Sequence, residues 1–435
     1  MIRNCLLFLN SNQFSTFENM KSSIVLFALC ISSFGLAQTY SEANPPDHIK
    51  TVQMFNPQTN DQTPVIRLSG EYLVLSFDDL DAGFQEYNYK IEHYNADWTP
   101  SGIFESEYLD GYSTNYIQDY KYSFNTYQLY THYQVRLPNQ DTRLKLPGNY
   151  VVKVFKDDES KPVFTKRFAI FDDAKVSVGL QAERGIGTGN LNQRINAIVS
   201  SGQMNLTETP DGATLFIMKN GNWEDNLTLP KPQFITNSQL TYRDQNHLFE
   251  GNSEYLWFDT KNIESPSMNT ERVFKEANQY HTILRSDFMK WNLGYFDESD
   301  VNGSFYIRNV RVPNQSQSST EADYTWVHFA LDEFDDQGGT KELYIVGAFN
   351  NWQLAPEYQL HLSESNYWEA AIYLKQGYYN YQYATYDTTS QKVSYSDVNG
   401  SFWQTENQYQ ALFYYRPWGV RYDVLVGYGQ VNTRK

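Results

Sequence analysis

The residues most able to do chemistry are scattered in this chain. Its seven histidines, His48, His93, His132, His247, His281, His328 and His361, include no pair at metal-binding spacing on one element, and no HExxH occurs. Zinc would need ligands gathered from distant segments, so no metal is expected. No GxSxG elbow, P-loop or GxGxxG is present, and Gly185-Ile186-Gly187-Thr188-Gly189 lacks the Lys-Ser/Thr that would follow a phosphate loop. It reads as a flexible loop. The acidic clusters Asp78-Asp79-Leu80-Asp81 and Asp332-Glu333-Phe334-Asp335-Asp336 depart from EF-hand spacing and read as solvated turns. No motif nominates a carboxylate pair for glycoside hydrolysis. Neither an enzyme nor a cofactor is expected.

The N-terminus sets the expected compartment. Met20-Lys21 precedes the apolar run Ile24 to Ile31, and Gly35 and Ala37 stand at the −3 and −1 positions of a signal cleaved after Ala37. Residues 1–19 have no place in such a signal, which points to a start at Met20. A lipid anchor on Cys30 is disfavoured by Leu29, which occupies a position that needs a small residue. Cleavage would remove Cys5 and Cys30, so stability must come from a core without disulfides. Loss of Arg3, Glu18 and Lys21 takes the net charge from −17 to about −18. That charge repels phosphate backbones and anionic lipid, so no nucleic acid and no direct membrane insertion are expected.

Period-two alternation dominates the remainder, and Tyr, Phe and Trp number 35, 27 and 9, an excess that favours strands and partner-facing surfaces. The expected fold class is all-β, with tandem immunoglobulin-like (early-set) β-sandwich domains. Residues 38–172 form the first domain, with a Tyr-rich insertion at 95–140, and 173–312 the second. The polar stretch 313–322 reads as a linker, and 323–435 as a C-terminal sandwich. Asn220-Gly221 is the strongest hairpin signal. A helical turn or two is allowed near Thr270 to Ala277.

Two segments carry resemblances. ADW at 96–98, SEYLDGY at 106–112, SFNTYQ at 123–128 and LPGNY at 146–150 resemble the plug proteins of the type IX secretion system. The resemblance implies an exported periplasmic chain at the inner face of the outer membrane. It would bind the periplasmic end of the translocon barrel and seal it when no substrate is in transit. Trp98, Tyr108, Asp110, Tyr112, Asn125 and Tyr127 are the candidate contacts. The second segment, GAFNNW at 347–352, resembles the glycogen- and starch-binding modules of early-set immunoglobulin-like fold. It implies the alternative of a periplasmic carbohydrate-binding protein that stacks Trp352 on sugar, with Asn407 as its later asparagine. Gln382 replaces the lysine of that family's strand and the second stacking tryptophan has no counterpart, so a glycan is not the favoured ligand.

Overall fold

Strand-forming alternation becomes sheets in pairs, because each strand buries one face and must cover it. In the computed structural model, residues 40–187, 189–312 and 314–434 are described. The signal segment, the proposed start at Met20 and both cysteines lie outside them. Residues Ile49–Phe55, Leu73–Asp79, Thr131–Leu137 and Asp119–Tyr122 form one four-stranded sheet in that order. It packs on a five-stranded sheet ordered Val65–Arg67, Phe164–Phe171, Gly148–Phe155, Asn88–Tyr94 and Thr114–Tyr116. Between them lies a core that includes Phe77, Tyr133, Tyr150 and Phe168. Phe77 stacks on Tyr133, with ring centres 5.2 Å apart. This is the first sandwich.

The second sandwich closes with strands from the far end of the chain. Ser177–Arg184, Asn192–Ser200, Gln239–Tyr242 and Phe234–Ile235 make one sheet, with Leu248–Glu250 paired to Asn192–Ser200. The facing sheet runs Asn222–Leu229, Ala213–Lys219, Gln408–Tyr415 and Val424–Asn432. Asn220 and Gly221 turn the local hairpin at positive φ, 53° and 70°, the conformation that a two-residue loop with the strand's own twist requires. A third body lies between these halves in sequence. An eleven-stranded sheet built from residues 256–394 curls on itself, so that Phe258 meets Phe329 at 5.6 Å although their strands are far apart along the sheet.

The sheets therefore ignore the expected divisions at 312 and 323. Leu256–Asp259 and Phe305–Ile307 pair with Gly377–Asp387, while Gln408–Tyr415 leaves the C-terminal portion to pair with Ala213–Lys219. Residues 314–322 are not an extended linker. Asn314 caps the helix Gln315–Glu321 by accepting from the Gln317 N–H at 2.9 Å. Thr270–Glu276 is a strand, not a helix, held at a sheet edge by Gln279–Leu284.

Buried charges pin these bodies together. Asp78 of the first sandwich is fully buried and lies 2.5 Å from the Lys375 Nζ of the third. His132 Nδ1 stands 2.7 Å from the other Asp78 oxygen, and the Tyr324 hydroxyl donates to Asp78 at 2.6 Å. Lys375 also donates to the Ser319 carbonyl at 2.7 Å and sits 4.0 Å from the centre of the Tyr130 ring. Burial by itself would raise the Asp78 carboxyl, but the charge of Lys375 and the bonds from His132 and Lys375 hold it below its ordinary range. The acidic cluster at 78–81 is a solvated turn only at its end: Asp78 and Asp79 finish a buried strand, and Asp81 is exposed in the turn that follows.

Removing one partner of a desolvated pair leaves a bare buried charge. Lys375→Met is therefore expected to lower unfolding free energy by about 3–5 kcal/mol, and Lys375→Met with Asp78→Leu to recover most of that loss. Urea denaturation of the three proteins reads this directly. A single variant as stable as the parent contradicts it.

Candidate functional site

The Tyr-rich insertion supplies strands Leu109–Gly111, Thr114–Tyr116, Asp119–Tyr122 and Thr131–Leu137, all paired within the first-domain segment, and its candidate residues sort into two groups. Trp98 occupies a tight turn at φ 61°, its N–H donating to the Asn95 carbonyl at 3.0 Å. Only 5% of its surface is exposed, and its ring meets Trp223 edge-on at 5.0 Å. The Arg167 guanidinium lies 5.4 Å from the ring centre, itself bonded to buried Glu42 at 3.2 Å and to Glu224 at 2.6 Å. Trp98 thereby belongs to the apolar seam that joins the first sandwich, through Val151 and Phe171, to the second, through Phe216 and Leu412. Tyr108 is equally interior, donating to the Ile91 carbonyl at 3.2 Å. These two residues, candidates for partner contact by type, are core anchors because an aromatic ring at a junction gains more from burial than from exposure.

The other four reach the surface. Asp110 pairs with Arg143 at 2.9 Å, a screened exposed contact. Tyr112 is 69% exposed and follows Gly111, where a Cβ would fall 2.0 Å from the Asp141 carbonyl oxygen at φ 131°. Asn125 turns the chain at φ 58°. Tyr127 lies exposed against Tyr280, with the Lys275 ammonium 3.0 Å from its ring centre. Both oxygens of Asp323 clamp this loop, accepting from the N–H groups of Tyr127 at 2.6 Å and Gln128 at 3.0 Å. Phe124 adds a backbone bond to the Thr320 carbonyl at 2.9 Å. The loop is held at both ends and its outer face is free.

That outer face carries the aromatics that residue type alone did not single out. Tyr116, Tyr120, Tyr122, Phe124 and Leu129 are exposed, and Phe84 joins them with its ring 4.9 Å from Tyr120. Strand Asp119–Tyr122 is exposed at every residue and stands last in its sheet, so one row of its backbone groups faces outward. Beside it an open cleft of about 720 Å³ lies between Tyr72, Tyr89, Tyr112 and Arg136. Exposed rings in contact, here Phe84, Tyr120 and Tyr122, mark a candidate interaction surface on an acidic protein. The sequence signal was the spacing of Tyr120 and Tyr122, which puts both rings on one face of the short edge strand Asp119–Tyr122.

The sugar-clamp residues take a different arrangement from the one the resemblance implies. Trp352 is 9% exposed and packs with Tyr344 and Val346, leaving no free ring face for a pyranose. Gln382 is buried, and Asn407 is a hub of the second sandwich, bonded to Asn220 at 2.8 Å and to Gln193 at 3.1 Å. Among the described residues His48, Asp79 and Asp81 bring ligand atoms within 4.8 Å of one another. Asp79 already accepts from Tyr87 and from the Asp81 N–H there, so the group is satisfied as a turn. His281 and His328 come within 3.0 Å across parallel strands, a pairing that their separation in sequence concealed.

Comparison with known proteins bears on the same region. Residues 49–172 match the family model described as "Type 9 secretion system plug protein 1st domain". The match begins on the first strand of the first sandwich and ends one residue beyond its last. It supports a role in type IX secretion. A crystal structure of a hypothetical protein from Parabacteroides merdae ATCC 43184 is similar over 91% of this chain and 100% of its own, at 28% identity and a TM-score of 0.85. Escherichia coli alpha-2-macroglobulin (10% identity, 90% of this chain and 22% of that one, TM-score 0.17) carries no argument. Nor does the serine-rich repeat protein of Streptococcus agalactiae (8% identity, 89% and 93%, TM-score 0.12). No curated protein matches the sequence.

His93, on strand Asn88–Tyr94 of the first sandwich, is buried against Tyr108, Tyr150 and Tyr422. Burial pushes its imidazole down to about 4, weakly opposed by the Pro147 carbonyl and the Asp423 charge. The unfolded chain takes up that proton near pH 6.5, so the stability from neutral His93 is full above that value and is lost as pH falls towards 4. Urea midpoints measured between pH 7.5 and 4.5 are expected to fall less steeply for His93→Phe than for the parent. Parallel profiles would remove this role.

Proposed function

We propose that this chain is a plug subunit of the type IX secretion system. It docks on the periplasmic end of the outer-membrane translocon barrel and closes it while no substrate is in transit. The observation that carries the reading is the plug-domain match over the first sandwich, the body that displays the exposed aromatic edge. A detachable seal needs a stiff body and a few aromatic anchors whose loss of contact sets the off-rate. The first requirement is served by the Asp78–Lys375 and Arg167–Glu224 junctions, the second by Tyr112, Tyr120, Tyr122 and Phe124. Net charge of −17 favours basic groups on the facing rim of the partner and speeds encounter more than it tightens the complex. Export to the periplasm is part of the proposal, resting on the signal pattern that ends at Ala37.

Affinity purification of the tagged barrel from envelopes tests both levels. The wild-type chain is expected to co-purify, and Tyr122→Ser with Phe124→Ser to reduce its recovery about tenfold or more while folding normally. Full recovery of the double variant moves the interface elsewhere. Absence of the wild-type chain from the purified translocon removes the plug reading.

A further inference from the structure

The last strand of the four-stranded sheet has two backbone sides, and one of them is open. Asp119–Tyr122 pairs antiparallel with Thr131–Leu137, Tyr120 opposite Tyr133 and Tyr122 opposite Thr131. One residue further on, the Ser123 N–H donates to the Tyr130 carbonyl at 2.9 Å, so Ser123 turns its backbone towards the sheet. Backbone direction alternates along an antiparallel strand. Asp119 and Lys121 therefore bond inwards, while Tyr120 and Tyr122 point their N–H and C=O groups away from the sheet. The other edge of the sheet agrees. The Leu80 N–H donates to the His48 carbonyl at 2.8 Å, which directs the even residues of Leu73–Asp79 to Ile49–Phe55 and leaves the odd ones for Thr131–Leu137.

This outward row already accepts backbone pairing at one end. Phe124, next on the same side, donates its N–H to the Thr320 carbonyl of the third body at 2.9 Å. Among the described residues no hydrogen bond from outside the sheet reaches the backbone of Tyr120 or Tyr122. The rings beside the row are apolar and exposed. Tyr120 lies 5.9 Å from Tyr133 of the core, 5.8 Å from Tyr122 and 4.9 Å from Phe84, so the inner face of the sandwich continues past its last strand. Asp119 is exposed on the strand, and exposed Asp81 and Glu86 flank Phe84 in sequence, with Lys121 as the one cation of the strand.

We propose, resting on the plug reading, that an extended loop or tail of the barrel protein adds to this edge as a further strand in the docked state. A closed barrel wall has no free edge to offer, so the segment must project from the rim. It exchanges backbone bonds with Tyr120 and Tyr122 and sets an apolar side chain at every second residue against Phe84, Tyr120 and Tyr122. Asp81, Glu86 and Asp119 favour basic residues in it. A second copy of this chain fits poorly. The register that pairs Tyr120 with Tyr122 sets Lys121 against Lys121, and two bodies of net charge −17 repel each other.

Proline tests the backbone directly, because at an outward position it removes an N–H without breaking a ladder bond. Tyr120→Pro and Tyr120→Ala both lose the ring, so the backbone donor is what separates them. At equal urea midpoints, recovery with the tagged barrel is expected to be about tenfold lower for Tyr120→Pro than for Tyr120→Ala. Hydrogen exchange of the wild-type chain, read at single amides free and barrel-bound, needs no variant. The Tyr120 and Tyr122 amides are expected to slow about tenfold or more on docking, whereas Lys121 is slow in both states. If the wild-type chain binds the barrel but the two variants are recovered alike, or the two amides exchange unchanged, strand addition is overturned and the plug reading stands. Slowing in the free chain that grows with its concentration gives the edge to a second copy and also overturns the proposal. A wild-type chain that does not bind the barrel removes the plug reading, and this inference with it.

Discussion

A carboxylate with no exposed surface stays ionised only if the protein replaces all that water supplied, and Asp78 meets this condition by drawing on two bodies at once. His132 comes from its own sheet, whereas Lys375 and Tyr324 come from the third body. Neither side is satisfied alone, which makes relative displacement of the two costly. Arg167 repeats the device at the other junction, with Glu42, Glu224 and the rings of Trp98 and Trp223 around it. Apolar seams supply most of the adhesion; the buried charges supply register, since a slip of an ångström or two would strand them.

This explains why a long Tyr-rich insertion remains ordered. Of its inner residues, Trp98 packs at the seam with the second sandwich, Tyr108 in the core of the first, and Tyr130 against Tyr324 of the third body, while Asp323 fixes the backbone of the Tyr127 turn from that body. The outer residues of the same segment are displayed on backbone that these contacts hold in place. A surface held in this way loses little conformational entropy on docking, which fits the proposed role as a reversible seal.

Much of the architecture was legible in local patterns. Alternation located most of the strands, and Asn220-Gly221 named its own hairpin because only a left-handed pair of residues matches strand twist. Pairing between distant segments was not legible. Gln408–Tyr415 has no local feature that assigns it to Ala213–Lys219 instead of to its sequence neighbours, since alternation specifies a buried face and not the face opposite. Gln315–Glu321 hid in a polar run whose only helical signal was Asn314 at the cap. In the Tyr-rich segment, residue type singled out candidates but could not give the orientation of each ring. Trp98 and Trp352 look like contact residues in sequence, and both are interior because positive φ turns fold them back under their own loops.

The role proposed for the aromatic edge is closure of an outer-membrane pore. Its most direct test is outer-membrane permeability to an antibiotic too large for porins, compared among cells with the wild-type chain, cells lacking it, and cells whose copy has Tyr112, Tyr122 and Phe124 replaced by serine. Entry should rise in the second and third strains and return to normal when the wild-type chain is restored. Equal tightness in all three, with the translocon present, would contradict the account.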